Sequence, residues 1–237
     1  MLRKICCLLC FTLLVAAAEQ AAARLQRFQL NGGVGYKDAN GNVIVPPIYE
    51  AGGPMKNGFA IVIKKGRSGY IDASGQLAID FLFEDASQFE AGIACVKSGG
   101  RYGYIDSSGR WLIPPQFEAA FGFSGGRARV YRNGKWGMIG YDGNTVVPEA
   151  FDFLSDLSGG LAVASSGGKF GFIDADGRVV IGLQYKNAFP FDTVTGRGMV
   201  QTGTEFWLID REGQLLSRIE HLGENERMNK QHDRTRE

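Results

Sequence analysis

Residues 134–148 read GKWGMIGYDGNTVVP, an apolar run, a turn with Asp142 and Gly143, and a second run rich in valine. This pattern is typical of a β-hairpin. The glycine that follows the tryptophan recurs every 34 residues, at Gly35, Gly69, Gly103, Gly137 and Gly171. The chain is therefore predicted to be a tandem repeat.

Three further sets of residues follow the same period. They are the turn glycines Gly41, Gly75, Gly109, Gly143 and Gly177, the aromatics Tyr49, Phe83, Phe117, Phe151 and Tyr185, and the alanines Ala60, Ala94, Ala128 and Ala162. Five full copies are followed by a partial sixth, from Phe206 to Leu216, after a two-residue insertion around Thr193 to Arg197. The repeat domain is predicted to cover residues 24–216.

The content of each copy excludes a helical repeat of similar length. Several glycines and short β-branched or aromatic runs disfavour helices and favour strands. The third copy reads YGYID-SSG-RWLIPP, a strand, a turn and a second strand that Pro114 and Pro115 end. A connector with Phe117 and Phe121 leads to a third strand in GRARVYR, so each unit is predicted to be a three-stranded meander in an all-β fold.

Two arrangements of these units remain open. Units that bury their faces against neighbours stack into an open superhelical solenoid, the arrangement that we expect. The alternative is a closed propeller-like ring, because Arg27-Phe28 aligns with Ile61-Val62 and could complete the final unit. A blade usually needs about 40 residues or more, which counts against the ring. Lys37, which stands where later copies have isoleucine, indicates a polar end of the array.

The repeat pattern, GKWGfID..G..vIP..F..A..F..GlA.V, resembles the bacterial WG-repeat family, best at Gly134 to Pro148 and Gly168 to Ile181. The resemblance covers about Gly33 to Leu216. It implies a scaffold that interacts with other proteins or with envelope components. This chain departs from the pattern at the tryptophan position, which holds Val34, Ser68, Tyr102, Trp136, Phe170 and Phe206. That variation favours a packing role for Trp136.

The N-terminus has the features of an export signal. Arg3 and Lys4 precede an apolar run from Ile5 to Ala18, which ends in small residues before Glu19. We expect a signal peptide over residues 1–18, with an alternative end at residue 23. The run is too short for a membrane span of about 20 residues. A periplasmic or extracellular monomer with no stable membrane span is therefore expected.

Composition also limits the chemistry. The net charge of +1 gives no field that favours nucleic acid. Cys6, Cys7 and Cys10 lie in the predicted signal, which leaves Cys95, interpreted as a buried apolar residue. The two histidines, His221 and His232, lie in the charged tail, residues 217–237, which is expected to be mobile. No catalytic residue, metal site or cofactor is predicted.

Acidic side chains recur at one turn position. They are Asp38, Asp72, Asp106, Asp174 and Asp210. Recurrence at a turn favours bonding to the turn's own amides. A hydrolase that uses these carboxylates is the third functional hypothesis.

A deviation in the third copy suggests a binding surface. Arg127 and Arg129 replace the apolar pair found in other copies, and they are predicted to form a cationic patch with Arg101, Tyr131, Arg132 and Lys135. The partner would be a protein or an anionic envelope polymer. In the alternative, a carbohydrate-binding envelope module, Tyr102 or Trp111 would stack on sugars. A non-catalytic binding scaffold is the main hypothesis, and solvated ion pairs are the structural alternative for the arginines.

Overall fold

A computed structural model describes residues 25–219, so the predicted signal peptide and most of the tail lie outside the described residues. Within this range, all regular secondary structure is β-strand, arranged in six antiparallel sheets. None of the described residues forms a helix long and apolar enough to cross a membrane. The all-β, tandem-repeat prediction is confirmed.

The described part of the chain divides into two compact units, with the boundary between Phe123 and Ser124. The strands of the first unit are β1 (Gln26–Leu30), β2 (Gly33–Lys37), β3 (Val43–Tyr49), β4 (Ala51–Gly52), β5 (Phe59–Lys64), β6 (Arg67–Asp72), β7 (Leu77–Phe83), β8 (Asp85–Ala86), β9 (Ile93–Ser98), β10 (Arg101–Asp106), β11 (Trp111–Phe117) and β12 (Ala119–Ala120). Its sheets have the strand orders β1-β2-β3, β4-β5-β6-β7 and β8-β9-β10-β11.

The second unit repeats this pattern. Its strands are β13 (Ala128–Arg132), β14 (Lys135–Ile139), β15 (Thr145–Phe151), β16 (Phe153–Leu154), β17 (Leu161–Ser166), β18 (Lys169–Asp174), β19 (Val179–Tyr185), β20 (Asn187–Phe189), β21 (Gly198–Thr202), β22 (Glu205–Ile209) and β23 (Leu215–Arg218). Strands β13 to β15 are consecutive neighbours in one sheet, and β16 to β19 and β20 to β23 form the other two.

Each sheet combines residues from two consecutive sequence copies, which corrects the predicted three-stranded unit. Strand β13, the third strand of its copy, pairs antiparallel with β14, the first strand of the next copy. The connector also contributes a two-residue edge strand, such as β16 beside β17. A sheet therefore usually has four strands. The tight hairpin between copies pairs five residues of β13 with β14, whereas the connector strand β16 pairs only two residues with β17. The prediction that Pro114 and Pro115 end the second strand is wrong, because β11 includes both prolines and pairs Phe117 with Tyr102 beyond the β-bulge.

The hairpin between copies explains this difference. Between β13 and β14 the two turn residues are Asn133 and Gly134, with φ of 53° and 78°. Positive φ at both positions is the geometry of a type I′ turn, which matches the twist of paired strands. The sequence contains this Asn-Gly pair, which is the typical turn of a two-residue hairpin.

Strand β1 belongs to the first sheet. It pairs antiparallel with β2, with Phe28 opposite Gly35 and Gln26 opposite Lys37. The last sheet takes all four of its strands from residues 187–218. The proposal that Arg27-Phe28 completes the final unit is therefore wrong, because the hairpin turn at Asn31-Gly32 pairs this segment locally.

The sheets of one unit bury opposite faces against each other. On one side lie Val34 and Tyr36 of β2, and on the other lie Val62 and Ile71 of the next sheet, all within one core cluster. The following pair of sheets in the first unit repeats the arrangement. The first strand of an inner copy, such as β6, therefore packs apolar side chains on both faces, with Ile71 in one cluster and Tyr70 in the other.

The glycine of the WG position allows the sheet to bulge. Trp136 of β14 pairs with Phe151 of β15, and Met138 pairs with Val147. Over this interval β15 therefore has two more residues than β14, which form the bulge. A Cβ atom on Gly137 would lie 2.5 Å from the Val147 carbonyl oxygen. Equivalent backbone contacts occur at Gly35, Gly69, Gly103 and Gly171. Glycine recurs here because the bulged strand occupies the space of a side chain.

The last sheet tests this explanation. Trp207 stands where the other copies have this glycine, and it lies opposite Arg218. Between Trp207 and Leu208 the register of β22 and β23 is regular, and a shift occurs only between Leu208 and Ile209. A large side chain is accommodated where the bulge over this position is missing.

We predict that Gly137→Ala destabilises the protein, whereas Gly182→Ala is tolerated. An added Cβ on Gly137 meets backbone, but one on Gly182, in the neighbouring sheet, meets nothing within 4 Å. Overpacking of this kind costs about 1–3 kcal/mol or more. Thermal unfolding followed by circular dichroism measures the difference, and equal melting temperatures for the two variants would contradict the explanation.

Candidate functional site

The recurrent turn carboxylates bond to their own turns. Asp106 Oδ1 accepts hydrogen bonds from the amides of Ser108 and Arg110 at 2.9 and 3.0 Å and from the Ser108 hydroxyl at 2.6 Å. The same amide pattern is found at Asp38, Asp72, Asp174 and Asp210. The fourth copy has Gly140 at this position, and Asp142 accepts the Asn144 amide instead. The predicted turn role is confirmed.

These bonds favour the ionised carboxylate. The hydrogen bond from the Ser108 hydroxyl, together with the backbone amides, holds the pKa of Asp106 well below its usual value of 3.8. The pKa of Asp174 is lowered first by the hydrogen bond from the Arg178 amide. A carboxylate in this state is a structural acceptor for the turn.

Cys95 is buried in the first unit, 3% exposed. Its amide donates to Ser87 Oγ at 2.9 Å, and burial raises the pKa of the thiol to about 12. The prediction that Cys95 is a buried apolar residue is confirmed. Among the described residues, no group of three or more His, Cys, Asp and Glu side chains could hold a metal ion.

Arg127 and Arg129 project toward the next sheet of the second unit. Arg129 lies opposite Met138, on the face of β14 that packs against that sheet. Its guanidinium donates to both carboxylate oxygens of Asp156, at 2.6 and 3.3 Å, and to the Leu154 carbonyl at 2.9 Å. Arg127 donates to the Ala175 carbonyl at 2.9 Å and to Asp176 at 3.2 Å.

Arg132 and Lys135 lie on the other face. They are opposite each other across the hairpin. Because side chains alternate along a strand, Arg132 points to the face opposite that of Arg129 and Tyr131. Arg132 donates to Glu149 Oε1 at 2.6 Å, and Lys135 pairs with Asp152. The structure therefore divides the predicted patch between two faces of the sheet, and each of these four cations has a carboxylate partner.

Trp136 is half-buried and packs against the core cluster that contains Met138 and Leu154. The ring of Tyr131 lies 4.9 Å from that of Trp136, and the Arg129 guanidinium lies over the indole at 5.5 Å. Trp136 thus supports the inter-sheet arginine, which agrees with the packing role predicted for it.

The remaining predicted residues lie in the first unit, where Arg101 and Tyr102 are adjacent at the start of β10 and Trp111 begins β11. Arg101 is exposed at the start of β10 and donates to the Gln116 carbonyl at 3.2 Å. The Tyr102 hydroxyl donates to Asp85 at 3.2 Å, and Lys97 lies 5.4 Å from its ring centroid. Trp111 lies opposite Ile105, whereas Tyr102 lies opposite Phe117, so the two aromatics are at different ends of the β10–β11 pair. They do not form one aromatic platform.

A second basic cluster, which the sequence reading missed, is found at the β5–β6 hairpin. Lys64, Lys65 and Arg67 line a cleft of about 360 Å³ with Leu77, Asp80 and Phe81. In the described part of the chain, neither lysine side chain forms an ion pair. Column comparison could have found this cluster, since the hairpin reads KKGR at 64–67 but SGGR, RNGK and SGGK at 98–101, 132–135 and 166–169.

We predict a measurable coupling between Arg129 and Asp156. A double-mutant cycle with Arg129→Ala and Asp156→Ala, followed by chemical denaturation, should give about 1–2 kcal/mol, because the pair is doubly hydrogen-bonded and the arginine is largely buried. The control pair is Lys56–Glu90, which is exposed and 3.8 Å apart and should give about 0–0.5 kcal/mol. Equal couplings would argue against a structural role for Arg129.

We predict that the turn carboxylates make stability depend on acid pH. Because the folded-state pKa of Asp106 is lowered, its contribution is present above pH 3.8 and is lost as the pH falls through the folded value. Asp106→Asn should lower the free energy of unfolding at neutral pH and weaken its decline in acid. Asp80→Asn, which changes an exposed carboxylate outside the turn, is the control. An unchanged acid profile for Asp106→Asn would contradict the prediction.

Comparison with solved structures finds similar folds at low identity. A eukaryotic initiation factor is 9% identical, with a TM-score of 0.54, over 84% of this chain and 63% of that chain. Hsv2 of Kluyveromyces lactis is 10% identical, with a TM-score of 0.46, over 80% of this chain and 72% of that one. The matched part of the initiation factor is less than two thirds of its length. For the initiation factor, this identity makes only the fold comparable.

Comparison with curated proteins gives no significant match. The family described as "WG containing repeat" matches five successive segments, residues 35–67, 69–102, 102–136, 136–170 and 170–202. These segments cover most of the described strands and agree with the 34-residue period, the WG-position glycines and the repeated sheets. The chain belongs to the WG containing repeat family.

Proposed function

We propose that this protein is an exported, non-catalytic scaffold that binds a protein partner through apolar side chains on its edge strands. The observation that carries this proposal is a set of apolar residues in the first unit that are 40–57% exposed at equivalent positions of β3, β7 and β11. They are Val43, Ile44, Leu77, Trp111 and Leu112. We call this set the edge strip.

The β-bulges explain why neighbouring residues of the edge strip are both exposed. Val43 pairs with Lys37 and Val45 with Tyr36, so Ile44 is the additional residue between them. Leu112 occupies the same place between Trp111 and Ile113. In a regular strand such neighbours would point to opposite faces, and the bulge leaves both outside the core. Exposed apolar residues that recur at equivalent positions of successive sheets are suited to burial against a protein partner.

The edge strands favour recognition by side chains over strand addition. Pro46 and Pro47 in β3, and Pro114 and Pro115 in β11, have no backbone N–H to donate to an incoming strand. Full burial of a valine, leucine or isoleucine side chain contributes about 1.5–3 kcal/mol, so a few of them supply useful binding energy. A folded or helical protein surface fits this edge better than an added strand does.

A carbohydrate-binding envelope module is a second candidate, which the exposed ring of Trp111 favours. Trp111 lies edge-on to Phe83, with ring centroids 5.9 Å apart, which leaves part of the indole open to solvent. Sugars stack on aromatic faces of this kind. Export in either case remains a proposal based on residues 1–18.

Affinity capture from a native envelope fraction tests the proposal. We expect Ile44→Ser combined with Leu112→Ser to reduce recovery of the principal captured protein by at least about tenfold, since two buried side chains together contribute more than 1.4 kcal/mol. Val194→Ser is the matched control, because Val194 is 91% exposed but lies outside the edge strip.

The outcomes separate the two candidates. Undiminished capture by the double variant would reject the edge strip as the binding surface. Saturable binding on a glycan array that Trp111→Ala abolishes, with no protein captured, would favour the carbohydrate-binding module instead. Melting temperatures of all variants show whether any loss reflects unfolding.

A further inference from the structure

We propose that the cleft at the β5–β6 hairpin binds an acidic, apolar-containing segment of the protein partner. Lys64, Lys65 and Arg67 would contact its carboxylates, and Leu77 and Phe81 an adjacent apolar side chain. This inference rests on the proposed protein-binding function, because Leu77 belongs to both the edge strip and the cleft. It adds a statement of the partner's chemistry.

The charge of the cleft supports an anionic partner. Three cations and one carboxylate, Asp80, line it. Arg67 has only a distant ion pair, 3.8 Å from Glu84, and a hydrogen bond of 3.4 Å to the Leu82 carbonyl. Glu50 is engaged by the hairpin amides of Lys65 and Gly66, at 2.6 and 3.0 Å. In contrast to Arg127 and Arg129, neither lysine side chain forms an ion pair with a carboxylate among the described residues.

The apolar wall distinguishes this cleft from a simple anion site. Phe81 packs against the core cluster of the first unit, where its ring lies 6.0 Å from that of Tyr49. Leu77 is 43% exposed at the start of β7. Apolar surface packed against the core beside exposed cations suits a peptide with alternating acidic and apolar side chains.

Asp80 favours a carboxylate over a phosphate. A phosphate group carries close to two negative charges and would be repelled more strongly by this carboxylate. Asp80 can instead accept a hydrogen bond from a peptide amide. The volume of about 360 Å³ is at the lower end of ligand-sized clefts, which corresponds to a short part of a chain.

The repeats provide an internal comparison. At the position of Phe81 the other full copies have Pro47, Pro115, Glu149 and Leu183, and at the position of Lys65 they have Asn31, Gly99, Asn133 and Gly167. The hairpin fold needs neither the lysines nor the phenylalanine, since the other copies form it without them. These residues are therefore free to serve binding.

Fluorescence anisotropy with labelled octapeptides tests the inference on residues 19–237, the chain that remains after removal of the predicted signal peptide. The probe alternates glutamate and leucine; one control replaces glutamate with glutamine, and another replaces leucine with serine. We expect the glutamate–leucine probe to bind at least about tenfold more tightly than either control, and more weakly as salt rises. Inorganic phosphate at equal ionic strength should not displace it.

The combined change Lys64→Glu and Lys65→Glu should weaken probe binding at least about tenfold. Lys169→Glu, at the hairpin position equivalent to Arg67, is the matched control and should leave binding unchanged. Equal binding by the two variants would overturn the inference. Efficient displacement by phosphate, or equal binding of the serine-containing peptide, would overturn the assignment of an acidic, apolar peptide. Melting temperatures confirm folding.

Envelope capture separates this inference from the proposed function. If the lysine double variant retains the captured partner while the Ile44 and Leu112 double variant loses it, the cleft is rejected and the scaffold function stands. If neither variant loses the partner, both are rejected. Loss in both variants, together with probe binding, supports both.

Discussion

The close contact between a strand carbonyl and the WG-position glycine is the constraint on which the repeated sheets depend. At Gly137 the Val147 oxygen lies where a Cβ would be placed, so β15 can carry two extra residues and still pair with β14. Beyond the bulge, Phe151 pairs with Trp136, and both side chains pack against the core. In the last sheet, Trp207 takes the glycine position and the regular pairing there has no bulge.

Packing between sheets accounts for the residues that first suggested a binding site. Most copies place an apolar pair on the face toward the next sheet, such as Leu161 and Val163. The third copy places Arg127 and Arg129 there, and the next sheet supplies Asp176 and Asp156 as partners. Asp156 occupies a position that holds Pro54, Gln88, Gly122 and Pro190 in the other copies. Arg129 and Asp156 therefore occur in the same pair of sheets, as expected for an ion pair that replaces an apolar contact between sheets.

Lysines without an ion pair among the described residues lie beside exposed apolar side chains in the first unit. Lys64 and Lys65 lie beside Leu77, which also belongs to the edge strip. A partner with acidic and apolar side chains would engage both features at once. Repeats thus serve two purposes here: the shared positions maintain the sheets, and the positions that differ between copies provide recognition chemistry.

The sequence by itself determined the all-β repeat, its period, the turn role of Asp106 and its equivalents, and the burial of Cys95, because these depend on local turn chemistry and alternation. Only the tertiary structure decided which strands share a sheet, since pairing across Asn133-Gly134 depends on backbone conformation. It also decided that Arg129 forms an ion pair with Asp156, whereas Lys64 forms none with the described residues. Charge neutralisation depends on carboxylates distant in sequence, such as Asp156, whose proximity to Arg129 arises only when one sheet packs on the next.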